Sequence, residues 1–338
     1  MAVTLKDIAD ALGMSISTVS RALSNKGRIS EETRALVFEQ ARKMGYAVKT
    51  PTGKRVPANI GIVFSKRLHS LTQDPFYSTV MVGVEQECNK YNYQVIFLTI
   101  DDDDAGRLWG LYNERRIDGL IMVGGDIKQQ LVQQVLDNKI PLVLIDNRFD
   151  DLDVDCVVTD NRGGVQKSMK YLYELGHRRI GFIGGPLSHS SLNERFRTYR
   201  EFLDEAGIRS SDRWVWIHEA PGPQTEKGYE GIKALAKDGL EITALITDND
   251  NTAIGVLRGC AEQGIKVPED LSIVGFDNTA MAEHVSPALT TVHIHKMEMG
   301  AFAARQLHEI MSGINPVPIV ITLSTELIHR QSARSLTV

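Results

Sequence analysis

The sequence predicts an α/β protein in three parts: an N-terminal three-helix headpiece, a short linker and a two-lobed body of parallel sheets. Three observations carry this reading. Residues 4–23 hold two short capped helices around a glycine. Residues 47–59 collect helix breakers and basic side chains. From residue 60, short apolar runs alternate with helical stretches, and the cycle restarts after residue 160.

In the first helix, Leu5, Ile8, Ala9 and Leu12 fall at i, i+3, i+4 and i+7, one face of a helix. Thr4 is a fit N-cap, with Asp7 three residues on as a variant capping box. Gly13 ends the helix. Ser15 caps the second helix, whose Val19 and Leu23 point inward. Two short helices around a tight glycine turn make a helix-turn-helix unit. The third helix is capped by Ser30, with Glu31 and Glu32 in its first turn. It continues through Val37, Phe38, Ala41 and Met44 and stops at Gly45.

The second helix is the candidate reader. Ile16, Ser17, Ser20 and Arg21 lie off its inward face. Residues near the N-terminus of such a helix reach base edges in the major groove. Arginine bridges O6 and N7 of guanine, serine bonds several bases, and an apolar side chain touches a thymine methyl. A plain structural three-helix bundle is the competing reading. Charge favours the first: residues 1–55 hold ten Lys/Arg against five Asp/Glu, a net of +5, on a chain whose total is −5. The remaining residues therefore carry −10. A basic end on an acidic body suits a chain that presents that end to a polyanion.

In the linker, Pro51, Gly53 and Pro57 break helices while Lys49, Lys54 and Arg55 add charge. The body then reads as strand and helix in turn. Strands fall at 60–64, 93–99, 120–123, 142–145 and 156–159, with a helix around 80–90 and other helical segments between some strands. The second set runs from a helix at about 162–175 through strands at 179–183, 215–218, 244–247 and 272–276. Helices at about 192–206, 225–238 and 250–263 separate them. Such alternation argues for parallel sheets covered on both faces. Two successive sets make two similar lobes facing a cleft, and ligands sit beyond the carboxyl ends of the strands.

The segment TLKDIADALGMSISTVSRALSNKGRISEETRALVFEQARKMGY resembles the headpiece of the lactose-repressor/galactose-repressor (LacI/GalR) family. The TVSRAL core, the S-x-x-T start of the third helix and the closing Gly-Tyr carry the match. LGHRRIGFIGGP, ALITDNDNTAIGVLRGCAEQGIKVPEDLSIVGFDN and LTTVHIHKMEMGAFAARQL resemble its effector-domain signatures, so the likeness covers nearly the whole chain. It implies a periplasmic-binding-protein-like body, residues 60–338. One lobe is expected at about 60–160 and 293–322, the other at about 161–291 and 323–338, with crossings near 161, 292 and 323. It further implies a cytoplasmic, nucleoid-associated regulator, a repressor of sugar-utilisation genes. A homodimer is expected, because no leucine heptads follow SARSLTV. Its partners would be a pseudo-palindromic operator and a small sugar or sugar-derived effector.

On this resemblance the DNA-contacting set is Thr4, Ser15, Ile16, Ser17, Thr18, Ser20, Arg21, Asn25, Arg28, Lys54 and Arg55. The family's hinge helix inserts a leucine into the minor groove. No leucine stands between Tyr46 and Ile60, and two prolines interrupt the segment, so residues 50–57 are expected to form no regular hinge helix. Val56 is the one bulky apolar residue there.

The effector set is Phe76, Tyr77, Asp146, Arg195, Asn249 and Asp277. Asp277 follows an apolar strand, where a carboxylate can accept two sugar hydroxyls. Arg195 matches the family's effector arginine; a surface ion pair with Glu194 or Glu201 is the alternative. Asn249 matches a contact position, and Asp250 is expected to cap the helix after it. Phe76 and Tyr77 match rings that pack on a sugar's C–H face, with core packing the alternative for Phe76.

Other features point away from other classes. No run of 18 apolar residues spans a membrane. The chain begins with a capped helix, so a cleaved signal is not expected. Cys88, Cys156 and Cys260 lack metal or disulfide spacing and read as buried thiols. Gly184-Gly185-Pro186 is not a dinucleotide fingerprint. Residues 101–104 read as solvated charge. His293 and His295 lack a third metal ligand, and Trp214 and Trp216 share an expected strand face. No catalytic set and no cofactor are read. A transport-class sugar-binding protein is disfavoured by the basic headpiece, a nucleotide-using enzyme by the missing phosphate loop.

Overall fold

A computed structural model describes residues 3–23, 29–44, 58–65, 75–101, 104–219, 223–314 and 317–336. Contacts divide the chain into two units, Met1–Ala58 and Asn59–Val338.

The first unit contains α1 (Leu5–Leu12), α2 (Ile16–Leu23) and α3 (Glu31–Lys43). They bury Ile8, Ala9, Val19, Ala22, Leu23, Val37 and Ala41 against one another. The caps are local. Asp7 N donates to Thr4 Oγ1 (3.4 Å), and Thr4 N donates to the Asp7 carboxylate (2.7 Å). Thr18 N donates to Ser15 Oγ (3.1 Å), and Thr33 N to Ser30 Oγ (3.2 Å). Gly13 turns the chain with φ of 62°, a conformation that costs glycine no Cβ clash. Asn25, Arg28, Gly45, Lys54, Arg55 and Val56, with the expected absence of a hinge helix, lie outside the described residues.

The second unit begins with β1 (Asn59–Ser65), α4 (Pro75–Lys90), β2 (Gln94–Ile100), α5 (Ala105–Asn113) and β3 (Gly119–Val123). Then come α6 (Gln129–Asp137), β4 (Leu142–Ile145), β5 (Asp155–Thr159) and α7 (Asn161–Glu174). Next are β6 (Ile180–Gly184), α8 (Ser190–Glu205), β7 (Val215–Ile217), α9 (Gln224–Ala236) and β8 (Ala244–Thr247). After α10 (Asp250–Glu262) follow β9 (Ser272–Asp277), α11 (Ala280–His284) and β10 (Thr290–His293). The chain closes with α12 (Lys296–Met311), β11 (Val320–Leu323) and β12 (Glu326–Ile328).

Two six-stranded sheets result, ordered β11-β5-β4-β3-β1-β2 and β12-β10-β9-β8-β6-β7. Among the described residues every pairing is parallel except β10 with β12. Parallel strands need both faces covered, and β3, β4, β6, β8 and β9 are buried at every residue. The chain passes between the sheets after β5, after β10 and between β11 and β12. In each lobe one helix pair touches backbone to backbone. A Cβ on Gly83 would overlap Met297 O, and one on Gly300 would overlap Val80 O, locking α4 to α12. Gly228 against Thr252 O and Gly255 against Thr225 O do the same for α9 and α10.

Several expectations are corrected. Pro75 opens α4 at its first position, so Phe76 and Tyr77 lie in a helical turn ahead of the expected start near residue 80. Trp214 sits in a 3-10 turn and donates to Glu241 (2.9 Å), while only Trp216 is on the strand, so they share no strand face. His295 is the N-cap residue of α12 and not a strand residue alternating with His293. The cysteines are buried and free, with burial pushing the thiols of Cys88 and Cys260 up to about 12.

Candidate functional site

On the headpiece, α2 leaves Ile16 (48% exposed), Ser17 and Arg21 on the solvent side while Val19, Ala22 and Leu23 are buried. Ser15 Oγ lies 2.8 Å from both Ser17 Oγ and Thr18 Oγ1, a hydroxyl cluster at the helix N-terminus. Thr4 is engaged in its cap: its hydroxyl donates to Asp7 (2.7 Å), and together with the Thr4 amide holds that carboxyl below its usual range.

In the body, the strand ends converge. Asp146 follows β4 with φ of 57°, a left-handed conformation uncommon for a side-chain-bearing residue. Tyr77 Oη donates to its Oδ2 (3.0 Å) and Ser191 Oγ to its Oδ1 (2.7 Å). Thus one carboxylate is held by α4 of its own lobe and by α8 of the other. His189 reinforces this meeting. Its Nε2 accepts from Gly125 N (3.1 Å) and lies 3.8 Å from Asp146 Oδ2. Ser190 Oγ donates to Asn147 Oδ1 (3.4 Å).

Arg195 is the hub of the second lobe and is 4% exposed. Its Nε donates to Asn161 Oδ1 (2.8 Å) and its Nη1 to Asp248 O (2.5 Å). The same Nη1 lies 3.5 Å from Asp277 Oδ1, and the guanidinium stacks 3.8 Å from the Phe276 ring centroid. The alternative surface pairs are not made: Glu201 pairs with Arg162, and Glu194 accepts from Asn161 (3.2 Å). Burial explains why this arginine gathers carbonyl, amide and carboxylate acceptors together.

The cap expected from Asp250 is made by its neighbour. Asn249 caps α10, its Oδ1 accepting from Thr252 N (2.8 Å). Asp250 is fully buried and accepts from Thr279 N (2.7 Å) and Thr291 Oγ1 (2.5 Å), its carboxyl pushed up to about 6 by desolvation. Phe76 is buried, edge-on to Tyr77 with centroids 5.0 Å apart. The structure therefore brings Tyr77 to Asp146 and Arg195 to Asp277, while Phe76 packs in the core beside them.

Sequence reasoning missed His189, Ser191, Asn161 and Asp248. The polar run His189-Ser190-Ser191 at the start of α8 was the available signal. His189 Nδ1 and Asp248 Oδ1 are buried with no hydrogen-bond partner among the described residues. Since His189 Nε2 accepts from Gly125, a neutral ring carries its proton on Nδ1 and offers a donor. Asp248, its carboxyl raised by burial, accepts from Gly185 N (2.9 Å) through its other oxygen. These are polar atoms that a polyhydroxylated molecule can satisfy. A separate recess of about 380 Å³ lies between β2 and α5, lined by Ile96, Leu98, Arg107, Glu114, Arg116 and Ile117; no polar side chain in that lining is buried. Among the described residues no group of three metal-ligating side chains forms, and no helix is long and apolar enough to cross a membrane.

Comparison with known proteins gives two matching family descriptions. Residues 4–49 match bacterial regulatory proteins of the lacI family, and residues 169–333 match a periplasmic binding protein-like domain. The chain is 31% identical to the ribose operon repressor of Haemophilus influenzae, over 98% of this chain and 99% of that protein. Among solved structures, it is similar to the transcriptional regulator CelR in complex with cellobiose. That match has a TM-score of 0.75 and 27% identity, over 98% of this chain and 99% of the other. It is also similar to a LacI family regulator from Enterococcus faecium with bound ribose. There the TM-score is 0.70 and the identity 25%, over 82% of this chain and all of that one.

Proposed function

The chain belongs to the lacI family of bacterial regulatory proteins, DNA-binding transcriptional regulators, and from that premise we propose a repressor whose hold on its operator is set by a sugar bound between the lobes. The observation that carries the ligand reading is two buried polar pairs at strand and helix ends of the body, Arg195 with Asp277 and Tyr77 with Asp146. Paired acceptors and donors of this kind suit vicinal hydroxyls. Ribose and cellobiose are the first sugars to test, since relatives are named for or crystallised with them.

In the headpiece, Ile16, Ser17, Ser20 and Arg21 read base edges, and Thr4, Ser15, Thr18, Asn25, Arg28, Lys54 and Arg55 fix it on the DNA backbone. The protein acts as a homodimer on a pseudo-palindromic site, since operator symmetry mirrors protein symmetry. It works in the compartment that holds the DNA. The sugar shifts operator affinity only through its differential affinity for the two lobe arrangements. Headpiece 1–46, linker 47–59 and body 60–338 divide this labour.

The test is selection of a duplex from a random library, followed by titration of the complex with ribose, cellobiose and other sugars. The expected result is a palindromic consensus and a sugar-dependent change in operator affinity. A protein that selects no duplex, or one that no sugar affects, overturns the corresponding half of the reading.

A further inference from the structure

The crossover after β10 delivers an unusual residue. Lys296 is the first residue of α12, and α12 packs on β3, β4 and β5 of the first lobe. A cation at the first position of a helix opposes the helix dipole, and burying it adds desolvation. Lys296 is nevertheless 9% exposed. Its three donors meet backbone carbonyls: Nζ donates to Asp277 O, with Asn278 O and Ile294 O each at 3.4 Å. The ammonium also lies 6.0 Å from the Phe76 ring centroid on α4.

Two of those carbonyls belong to the second lobe, at the carboxyl end of β9. There Asp277 and Asn278 hold φ of 109° and 51°. Such conformations persist where surrounding contacts over-determine them. Arg330 donating to Asn278 Oδ1 (2.8 Å) is one such contact, and the Lys296 ammonium is another. One residue is thus tied at both ends: the Asp277 side chain faces Arg195, and its carbonyl holds the first helix residue of the opposite lobe. Behind Lys296, the glycine contacts lock α12 to α4, and α4 carries Tyr77, which holds Asp146.

We propose that Lys296 is the positioning residue that couples the cleft to the first lobe, by tying the carbonyl of Asp277 to the α4–α12 pair. The inference rests on the proposed sugar response, because it names the link that a change at Asp277 pulls on. A coupling claim needs an element that both sites bias, and the Lys296–Asp277 bond joins the two lobes at the cleft. Coupling is reciprocal in binding free energy, and with Lys296 as the link, operator binding is expected to alter the 277–279 turn that the link holds.

The test therefore needs no identified sugar. Hydrogen exchange of the full chain is followed at the amides of Asn278 and Thr279, with and without a duplex selected from a random library. In the wild type, the duplex should change exchange there by at least about fivefold, the low end of ordinary allosteric coupling. Lys296→Met should still bind the duplex but lose most of that change, and Lys296→Arg should restore part of it. Lys296→Leu, which likewise carries no donor, substitutes if the methionine variant does not fold. Exchange that ignores the duplex in the wild type, or responds equally in Lys296→Met, overturns the proposal. Failure of the parent reading shows separately, as a wild type that selects no duplex or whose selected complex ignores every sugar.

Discussion

The Nη1 atom of Arg195 lies 3.5 Å from Oδ1 of Asp277, with the two side chains 5% and 13% exposed. Eighty-two residues separate them in sequence. A pair this buried cannot lose one member cheaply, because the survivor keeps its desolvation and loses its partner.

Asp277→Ala should accordingly destabilise the body by about 3–5 kcal/mol, as breaking a buried pair does. The loss should sit at the low end, since Arg195 retains Asn161 and the Asp248 carbonyl. The variant should also lose any thermal shift with the sugar that stabilises the wild type, since bound ligand stabilises by mass action. Urea denaturation and a sugar-dependent melt check both parts. Unchanged stability together with a full sugar shift would remove Asp277 from the site.

On the headpiece, Arg21→Ala should cost about 1–3 kcal/mol on the selected duplex and relax one base per half-site. Lys6→Ala, an exposed cation on the preceding helix, should weaken all sequences alike and flatten the salt dependence if it meets phosphate. Fluorescence anisotropy at two salt concentrations separates these behaviours. If Arg21→Ala keeps both affinity and selectivity, α2 does not read the groove through it.

Glycines offer a paired contrast. Gly300→Ala would drive a methyl into the backbone of α4, so α12 and α4 must part, and thermal melting should fall sharply. A Cβ on Gly110, in the interior of α5, would meet nothing within 4 Å. Gly110→Ala should raise stability by about 0.5–1 kcal/mol, the usual helix-interior difference. Similar melting temperatures for the two variants would contradict the close packing of the helix pair.

The fourth expectation concerns pH. Burial raises the Asp250 carboxyl to about 6, above the unfolded value near 3.9. Below about pH 4 the group is protonated in both states. As pH rises toward 6, the unfolded chain releases its proton first, so the stability contributed by Asp250 is lost through that window. Asp248 is shifted in the same direction by its own burial. Wild-type stability should therefore fall relative to Asp250→Asn between about pH 4 and 6.5. Parallel curves for the two proteins would show that Asp250 ionises normally.

The sequence by itself determined the parts whose interactions are local. The headpiece helices were legible because Thr4, Ser15 and Ser30 each cap an amide three residues on, and Gly13 turns the chain alone. The sheet strands were legible as apolar runs because parallel strands are buried on both faces. Asp277 was expected at the end of an apolar strand and is the last residue of β9, and Arg195 was expected on an early helix turn and lies in the second turn of α8. The tertiary structure decided the rest. Either Asn249 or Asp250 can cap α10, and only Thr279 and Thr291, 29 and 41 residues from Asp250, draw it inward and leave the cap to Asn249. The meeting of His189 with Gly125 spans 64 residues, and Ser191 with Asp146 spans 45. Nothing in the sequence around Lys296 singled it out; its three carbonyl partners become visible only when the crossover brings α12 beside the end of β9. The physical reason is the same in each case: a cap is fixed by neighbours along the chain, whereas a buried charge is fixed by whichever distant strand end the fold sets against it.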